Sequence, residues 1–410
     1  MSRSCDIIIA GGGMIGASLA CALEGLGLDV VVVEAAPAPD SALPAAALDE
    51  RTTALAPVTQ RILQTLHLWP PLASEAEPIR HIHVSRRGGA GATRLDAARD
   101  NLPALGYVVS NRVLGEALSR RLSDCEGVEV LHQTRVCELA HLDAGVRVTL
   151  ETDEGRRTLQ GRLLVAADGA ASKCRRLLGI GASRHDYGHS ALVTNLALRQ
   201  PHGGLAYERF TPDGPMALLP MTGGRAALVL TLPQPEVDHW LACSDEALVA
   251  EVDRRLGGRL GEIEAVGARQ SWPLSLVRAS RLTADHGVVV GNAAHTLHPV
   301  AGQGFNLGMR DVAVLAETIA TTSALESGNW LDAYTRLRQA DHQRLVSFSH
   351  GLVQLFGRHS PVPAPLLDAG LLGLDLCGPG KRGFARAAMG LGPGLPRLAR
   401  GLPLHKGTMS

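Results

Sequence analysis

The first 34 residues restrict the fold more than any other part of the chain. Asp6–Ala10 is a short apolar run, read as a buried strand, and it leads directly into Gly11-x-Gly13-x-x-Gly16. Ile15, Leu19, Leu23 and Leu26 then recur at helical spacing, and Asp29–Glu34 holds the unbroken β-branched run Val30 to Val33. Strand, glycine turn, helix and strand make one β-α-β unit, the building block of a doubly wound parallel sheet. Each glycine has its own steric reason. Gly11 permits the tight turn, Gly13 lets the backbone approach a pyrophosphate, and Gly16 lets helix and strand pack closely. The helix N-terminus offers unpaired N–H groups and a partial positive charge to phosphates. Glu34 follows Gly16 by 18 residues, at the end of the second strand, where a carboxylate can accept both ribose hydroxyls. A glycine motif alone is a weak signal, and Glu34 alone could be a solvated strand end. Together, in this order, they predict a dinucleotide site.

The rest of the chain extends this plan. Val108–Leu122 reads as a strand turning into a helix, and Leu163–Ala167 as a further buried strand ending at Asp168-Gly169. Between about 185 and 280 the texture changes to short strands (Ala191–Leu198, Met216–Pro220, Ala226–Leu232) separated by Gly/Pro turns, which predicts an antiparallel sheet. Val288–Val290 returns to the parallel-strand texture, and Phe305–Thr318 reads as a helix. The expected architecture is α/β, α+β overall, with a discontinuous Rossmann-like domain over 1–75, 100–184 and 281–345. An interleaved antiparallel-sheet domain takes 76–99 and 185–280, and a helical or basic tail takes 346–410. Ala36–Ala47 reads as a loop.

Composition excludes several classes. Lys+Arg and Asp+Glu both total 40 and aromatics are 3%, so neither a basic footprint nor base-stacking surfaces support a nucleic-acid partner. The seven cysteines are scattered without a C-x-x-C pair, which predicts reduced thiols in a cytoplasm. No run of about 18 apolar residues predicts a membrane span. His295 and His298 are three apart and His81 and His83 two apart, without a nearby acid or cysteine set, so no metal site is expected. After Asp375 come six Lys/Arg and no acid. This tail reads either as a solvated, irregular terminus or as a peripheral contact with an anionic membrane, together with the apolar Leu366–Leu376 region.

Two further motifs decide between nicotinamide and flavin. Leu164-Val165-Ala166-Ala167-Asp168-Gly169-Ala170-x-Ser172 resembles the "DG" motif of flavin-dependent aromatic hydroxylases. Gly291-Asn292-Ala293-Ala294-His295, followed by His298-Pro299-Val300-Ala301-Gly302-Gln303-Gly304-Phe305-Asn306-Leu307-Gly308, resembles their second flavin motif. The resemblance covers almost the whole chain and implies a p-hydroxybenzoate hydroxylase-like fold with bound FAD. Asp49-Glu50-Arg51-x-x-Ala54-Leu55, Asn111-Arg112-Val113-Leu114 and Gly214-Pro215-Met216-Ala217-Leu218-Leu219-Pro220 look like the ubiquinone-biosynthesis hydroxylase branch. Within it, the second flavin motif is most similar to the 2-polyprenyl-6-methoxyphenol hydroxylases.

The resemblance implies roles residue by residue. Arg51 matches an arginine that contacts the flavin cofactor, and either Asn111 or Arg112 matches a polar helix-start position beside the diphosphate. Asp168, with Gly169, matches the acid that helps hold FAD; without the other motifs Asp-Gly would read simply as a turn. Asn292 stands where most of the family has an aspartate on the ribityl chain. Gly302, Gln303, Gly304 and Asn306 belong to the loop and helix start that face the isoalloxazine, and Pro299 matches the backbone between flavin and substrate. Phe210, Pro220 and Trp272 are candidates for the substrate pocket, with core packing the commoner fate of such side chains.

The implied chemistry is hydroxylation of an aromatic ring by a flavin C4a-hydroperoxide, with O2 as co-substrate and a polyprenyl phenol as substrate. No second glycine-rich motif is evident, so the reductant is NAD(P)H bound transiently or an electron-transfer partner. No side chain stands out as a catalytic base. Other ubiquinone-biosynthesis proteins are candidate partners, and a cytoplasmic protein with peripheral membrane contact is expected. The alternatives are another reaction on the same fold, such as prenyl reduction, and a non-catalytic flavin-binding subunit. The halogenase branch lacks support, because Trp69, Trp240, Trp272 and Trp330 form no W-x-W motif.

Overall fold

A computed structural model describes residues 3–38, 51–358 and 360–405. Asp49, Glu50 and most of the Ala36–Ala47 loop lie outside the described residues. Among those described, the chain forms an eight-stranded, a nine-stranded and a three-stranded sheet.

The eight-stranded sheet grows from the β-α-β unit. Arg3–Ala10 pairs in parallel with Val30–Val33 on one side and Gly155–Ala166 on the other. Val128–Leu131 and Gly287–Val289 extend the parallel set outward. Ile7, Ile8, Ile9, Val31 and Val32 are fully buried, because helices cover the sheet. Each such side chain contributes roughly 1.5–3 kcal/mol over an exposed one. The helices Met14–Leu23 and Gln303–Thr321 pack against each other. Ile15 lies close enough to Gly291 and Gly308 that a Cβ on either glycine would crowd it, at 3.0 and 2.7 Å.

The register positions the site. Ala10 is level with Val33 and with Ala166, and Ala166 with Val289. The four strands therefore end on one line, and Gly11, Glu34, Asp168 and Gly291 leave the sheet side by side. Ligands of open α/β sheets bind at this carboxyl edge.

The nine-stranded sheet is mainly antiparallel and centres on the 17-residue strand Ala182–Leu198. His81–Arg86 and Ala92–Asp96 close one end of it, so residues from both parts of the expected second domain share a sheet. The boundaries differ in detail. Glu77–Ile79 instead joins Thr52–Leu55 and Gly106–Ser110 in the three-stranded sheet. An antiparallel pair, Arg135–Leu142 and Gly145–Thr152, is appended to the parallel sheet. The expected break at 345/346 falls inside the helix Asn329–Phe356. The tail is not irregular throughout, since it carries the helices Ala364–Leu376 and Gly378–Ala388. No described helix is long and apolar enough to cross a membrane.

Candidate functional site: a flavin cradle

The glycine turn is built as steric reasoning requires. Gly11 has φ +103°, and a Cβ there would sit 2.6 Å from the Ala167 carbonyl oxygen. A Cβ on Gly16 would overlap the Gly11 carbonyl oxygen. Gly13 differs from both: its φ is −61°, and nothing lies within 4 Å of the position of its missing Cβ. The space in front of Gly13 is thus open, at the N-terminus of a helix with no side-chain cap and no acid in its first turn. Its free N–H groups and dipole face that space.

Glu34 reaches back over this turn. Its Oε2 accepts from Gly12 N at 2.6 Å and its Oε1 from Ala36 N at 2.7 Å. Asp168 caps the next segment, accepting from the Ser172 hydroxyl and from Cys174 N at 3.0 Å. Asn292 is exposed at the same edge, and its side chain bonds to none of the described residues.

The second half of the cradle is the loop before the helix Gln303–Thr321. Gly302 adopts φ +60° and ends the loop, and this helix N-terminus also lacks a side-chain cap and a first-turn acid. Gly304, like Gly13, has nothing within 4 Å of its missing Cβ. Asn306 braces the loop from within. Its Oδ1 accepts from Ala56 N and the Thr59 hydroxyl, both at 2.7 Å, and its Nδ2 donates to the Ala54 and Gly302 carbonyls, both at 2.8 Å. That amide is fully used by protein and has nothing left to offer a cofactor. Gln303 is buried, and its Nε2 donates to the Ala388 carbonyl at 3.2 Å, tying the loop to the C-terminal helix.

Two open helix N-termini, two unobstructed glycines and a carboxylate above the turn fit an adenine dinucleotide laid across the sheet edge. Known proteins agree. The FAD binding domain family matches residues 4–349. The ubiquinone hydroxylase UbiL of Rhodospirillum rubrum is 39% identical over 97% of this chain and 93% of its own length. The 3-demethoxyubiquinol 3-hydroxylase of Escherichia coli is 31% identical over 94% of this chain and 98% of its own. This chain belongs to the ubiquinone-hydroxylase family of FAD-dependent aromatic monooxygenases. Its fold matches p-nitrophenol 4-monooxygenase PnpA of Pseudomonas putida, with TM-score 0.76 and 18% identity over 96% of this chain and all of that one. PqsL of Pseudomonas aeruginosa gives TM-score 0.74 and 25% identity over 90% of this chain and all of its own.

Within this flavoprotein frame, Arg51 is exposed and stands 5.0 Å over the Trp272 ring, joining the three-stranded sheet to the large one. Asn111 lies on the same side, its backbone N bonded to the Arg51 carbonyl at 2.8 Å and its Oδ1 accepting from the Thr53 hydroxyl at 2.5 Å. Arg112 points to the exposed helix face, 2.7 Å from Glu116. Phe210 is buried and stacks on Phe356 at 4.1 Å, in an apolar cluster that includes Val300, the neighbour of Pro299. Pro220 is buried in the strand Gly214–Met221, which runs beside the turn Val300–Gly302.

Sequence reasoning missed two connections. Arg175 is buried and donates to the Ala293 carbonyl at 2.7 Å, clamping the segment after Asp168 to the segment holding Asn292. The second is a buried ionic network. Asp311 accepts from Arg338 Nε at 2.8 Å and His342 Nε2 at 2.7 Å through Oδ1, while its Oδ2 lies 3.4 Å from Gly291 N and 3.8 Å from His295. His295, Asp311 and His342 cluster as metal ligands could. The Arg338 guanidinium, however, shares the carboxylate and supplies a fixed positive charge, so the cluster is an ion-pair network that holds the Gly291 turn. Against the pull of burial, His342 and then Arg338 hold Asp311 well below the usual carboxylate range.

This burial predicts acid sensitivity. Desolvation lowers His295 from 6.5 to about 3 and His298 from 6.5 to about 4. Below pH 6.5 the unfolded chain takes up these two protons and the folded chain does not, so stability falls as pH falls. The slope is about 1.4 kcal/mol per pH unit for each histidine. Urea unfolding between pH 7 and 4.5 checks it, and a flat profile would contradict the buried neutral histidines.

Proposed function

We propose that this flavoprotein hydroxylates the aromatic ring of a polyprenylated phenol in ubiquinone biosynthesis, with O2 as co-substrate. Bound FAD, once reduced by NAD(P)H or an electron-transfer partner, would supply the oxygen activation. The protein's own part is to bind, orient and keep water out. Gly13 and the helix N-terminus behind it would take the diphosphate, and Glu34 the ribose hydroxyls. Arg51, Asn111 or Arg112, and Asp168 with Gly169 would border the same cofactor. The uncapped helix at Gln303 would place its positive end, with the Gly302 and Gly304 backbone, against the electron-accepting end of the ring. Pro299 would present its backbone between ring and substrate.

The observation that carries the substrate assignment is the apolar cluster beside Pro299. It joins Val300, Phe210 and Phe356 to Leu367 and Leu371 of the helix Ala364–Leu376. The outer side of that helix exposes Leu366, Leu372 and Leu376. An apolar track from the ring site to an apolar surface suits a substrate whose every methylene gains about 0.8 kcal/mol on leaving water. Oxygen uptake by the FAD-loaded protein tests the reading. Uptake should depend on a prenylated phenol, and uptake indifferent to it would remove the hydroxylase assignment.

Two variants follow. Asn292→Asp keeps the acceptor and shape and should bind FAD with nearly parental affinity. Asn292→Leu leaves a ribityl hydroxyl unpaired, at about 1–3 kcal/mol, so FAD should bind roughly five- to 150-fold more weakly. Parental affinity in the leucine variant would mean that Asn292 does not touch the cofactor. For the membrane contact, removing everything after Asp375 is a poor test, because Met389, Leu398 and Ala399 of that segment are buried. Replacing Leu366, Leu372 and Leu376 by serine should instead weaken partitioning onto liposomes while FAD content stays intact. Unchanged partitioning would reject the contact.

A further inference from the structure

A cavity lies on the nine-stranded sheet, lined by none of the residues of the flavin motifs. Two cross-strand rows form its floor. Leu205 is level with His81, and His81 with Asp96; Tyr207 is level with His83, and His83 with Arg94. Positions two apart on a strand share a face, so the six side chains project together. With Arg99, Arg259 and Asp375 they bound a space of about 520 Å³.

Its charges do not balance. Arg94, Arg99 and Arg259 face two carboxylates, which leaves one positive charge in excess. Both carboxylates already have basic neighbours, and Lys381 adds a further cation beside one of them. Asp96 lies 3.7 Å from His81 and 3.9 Å from Arg99. Asp375 lies 3.0 Å from Lys381 and 3.7 Å from Arg94. Arg259 forms no ion pair with the described residues and donates to the Leu256 carbonyl at 2.5 Å. In the next cross-strand row on the same face, Arg209 is level with Ser85 and buried, and it donates to the Arg255 carbonyl at 3.1 Å and the Ser85 hydroxyl at 2.8 Å rather than to an acid. Burial first, and then the charges of Arg94, Arg259 and Arg209, hold the His83 imidazole below its ordinary value.

We propose that this cavity binds a phosphate group, supplied by the headgroup of an anionic phospholipid. The lipid source follows from what borders it. Asp375 on the cavity wall belongs to the helix Ala364–Leu376, and Leu376 and Leu372 of that helix are exposed. A headgroup in the cavity would leave its acyl chains beside those leucines. This deepens the membrane contact proposed above and does not depend on the hydroxylation reaction.

The test has two arms, each comparing the FAD-loaded parent with Arg94→Ala/Arg259→Ala. In the first, inorganic diphosphate is titrated while the His83 ring is followed by NMR. Binding should raise the His83 pKa in the parent. In the double variant that pKa should start higher and not respond to diphosphate. No response in the parent overturns the site. In the second arm, the two proteins partition onto phosphatidylglycerol and phosphatidylcholine vesicles. The double variant should bind phosphatidylglycerol roughly 30-fold more weakly, each arginine near such a surface counting for about 1 kcal/mol. Equal binding in this arm, with a positive first arm, overturns the lipid source and points to a soluble phosphate ester. Substrate-dependent oxygen uptake should be the same in both proteins when the phenol is presented in detergent. Its failure in both would count against the hydroxylase reading and leave the site untouched.

Discussion

Gly13→Val should yield a folded chain that no longer takes up FAD. The two halves of that expectation rest on different observations. Folding survives because the backbone at Gly13 has φ −61° and ψ 179°, which valine adopts, and because no atom lies within 4 Å of the new Cβ. Binding fails because the same empty space is where backbone and diphosphate must meet. A branched side chain there would hold the phosphates away from the helix N–H groups. The expected loss is at least about 100-fold in affinity, a difference of roughly 2.7 kcal/mol. Gly16→Val makes the control, since its Cβ would run into the Gly11 carbonyl and the β-α-β unit itself should fail. Far-ultraviolet dichroism with an FAD titration separates the cases. A Gly13→Val protein that remains yellow at parental affinity would show that the diphosphate lies elsewhere.

The largest loss of stability is expected from Asp311→Ala. Asp311 is fully buried and Arg338 nearly so, and their contact at 2.8 Å is the centre of the network behind Gly291. Removing one partner of a buried pair costs up to about 3–5 kcal/mol, because the other charge stays buried; here Asp341, 2.6 Å from Arg338, remains to offset part of it. A loss of that size is a large part of the roughly 5–15 kcal/mol that keeps a domain folded. Gly291 N would also lose its acceptor, so weaker FAD retention should accompany the lower unfolding midpoint. Asp311→Leu/Arg338→Met removes both charges and should recover part of the loss, because apolar replacements of a buried pair are often neutral. Denaturant titration of the three proteins decides the matter. A single variant within about 1 kcal/mol of the parent would mean that Asp341, 2.6 Å from Arg338 Nη1, compensates the guanidinium by itself.

What the sequence made legible follows from which physical signals are local. The parallel strands stood out because Ile7–Ile9 and Val30–Val33 are buried on both faces and must be apolar throughout. The glycine turn stood out because its reasons are steric and confined to six residues, Gly11 to Gly16. Gly155–Ala166 was half visible: its first four residues are exposed and polar, and only the apolar end, Leu163–Ala166, betrays a strand. The pair Arg135–Leu142 and Gly145–Thr152 was hidden by charged residues on its solvent side. The helices Ala364–Leu376 and Gly378–Ala388 were masked by Gly370, Gly373, Gly378, Pro379 and Gly380, which lower helix propensity without preventing a packed helix. In the site, Asn306 could be placed beside the flavin loop, but not its choice of protein partners over cofactor. Ala54 and Thr59 lie some 250 residues away, and such pairings depend on topology. Asp311 did leave a trace, since a lone acid at the helical spacing of Leu307 and Leu315 sits on the apolar stripe and needs a buried cation. Arg338 is the cation it finds.

The proposed role of FAD on this sheet edge is to place an oxygen atom from O2 on an aromatic ring. Its most direct test supplies the FAD-loaded protein with a reductant, a prenylated phenol and isotopically heavy dioxygen, followed by mass spectrometry of the lipid. One heavy oxygen atom should appear on the ring of the product, and none when FAD is withheld or Gly13→Val is used. An unlabelled hydroxyl group, or a recovered phenol unchanged while the reductant is consumed, would contradict it.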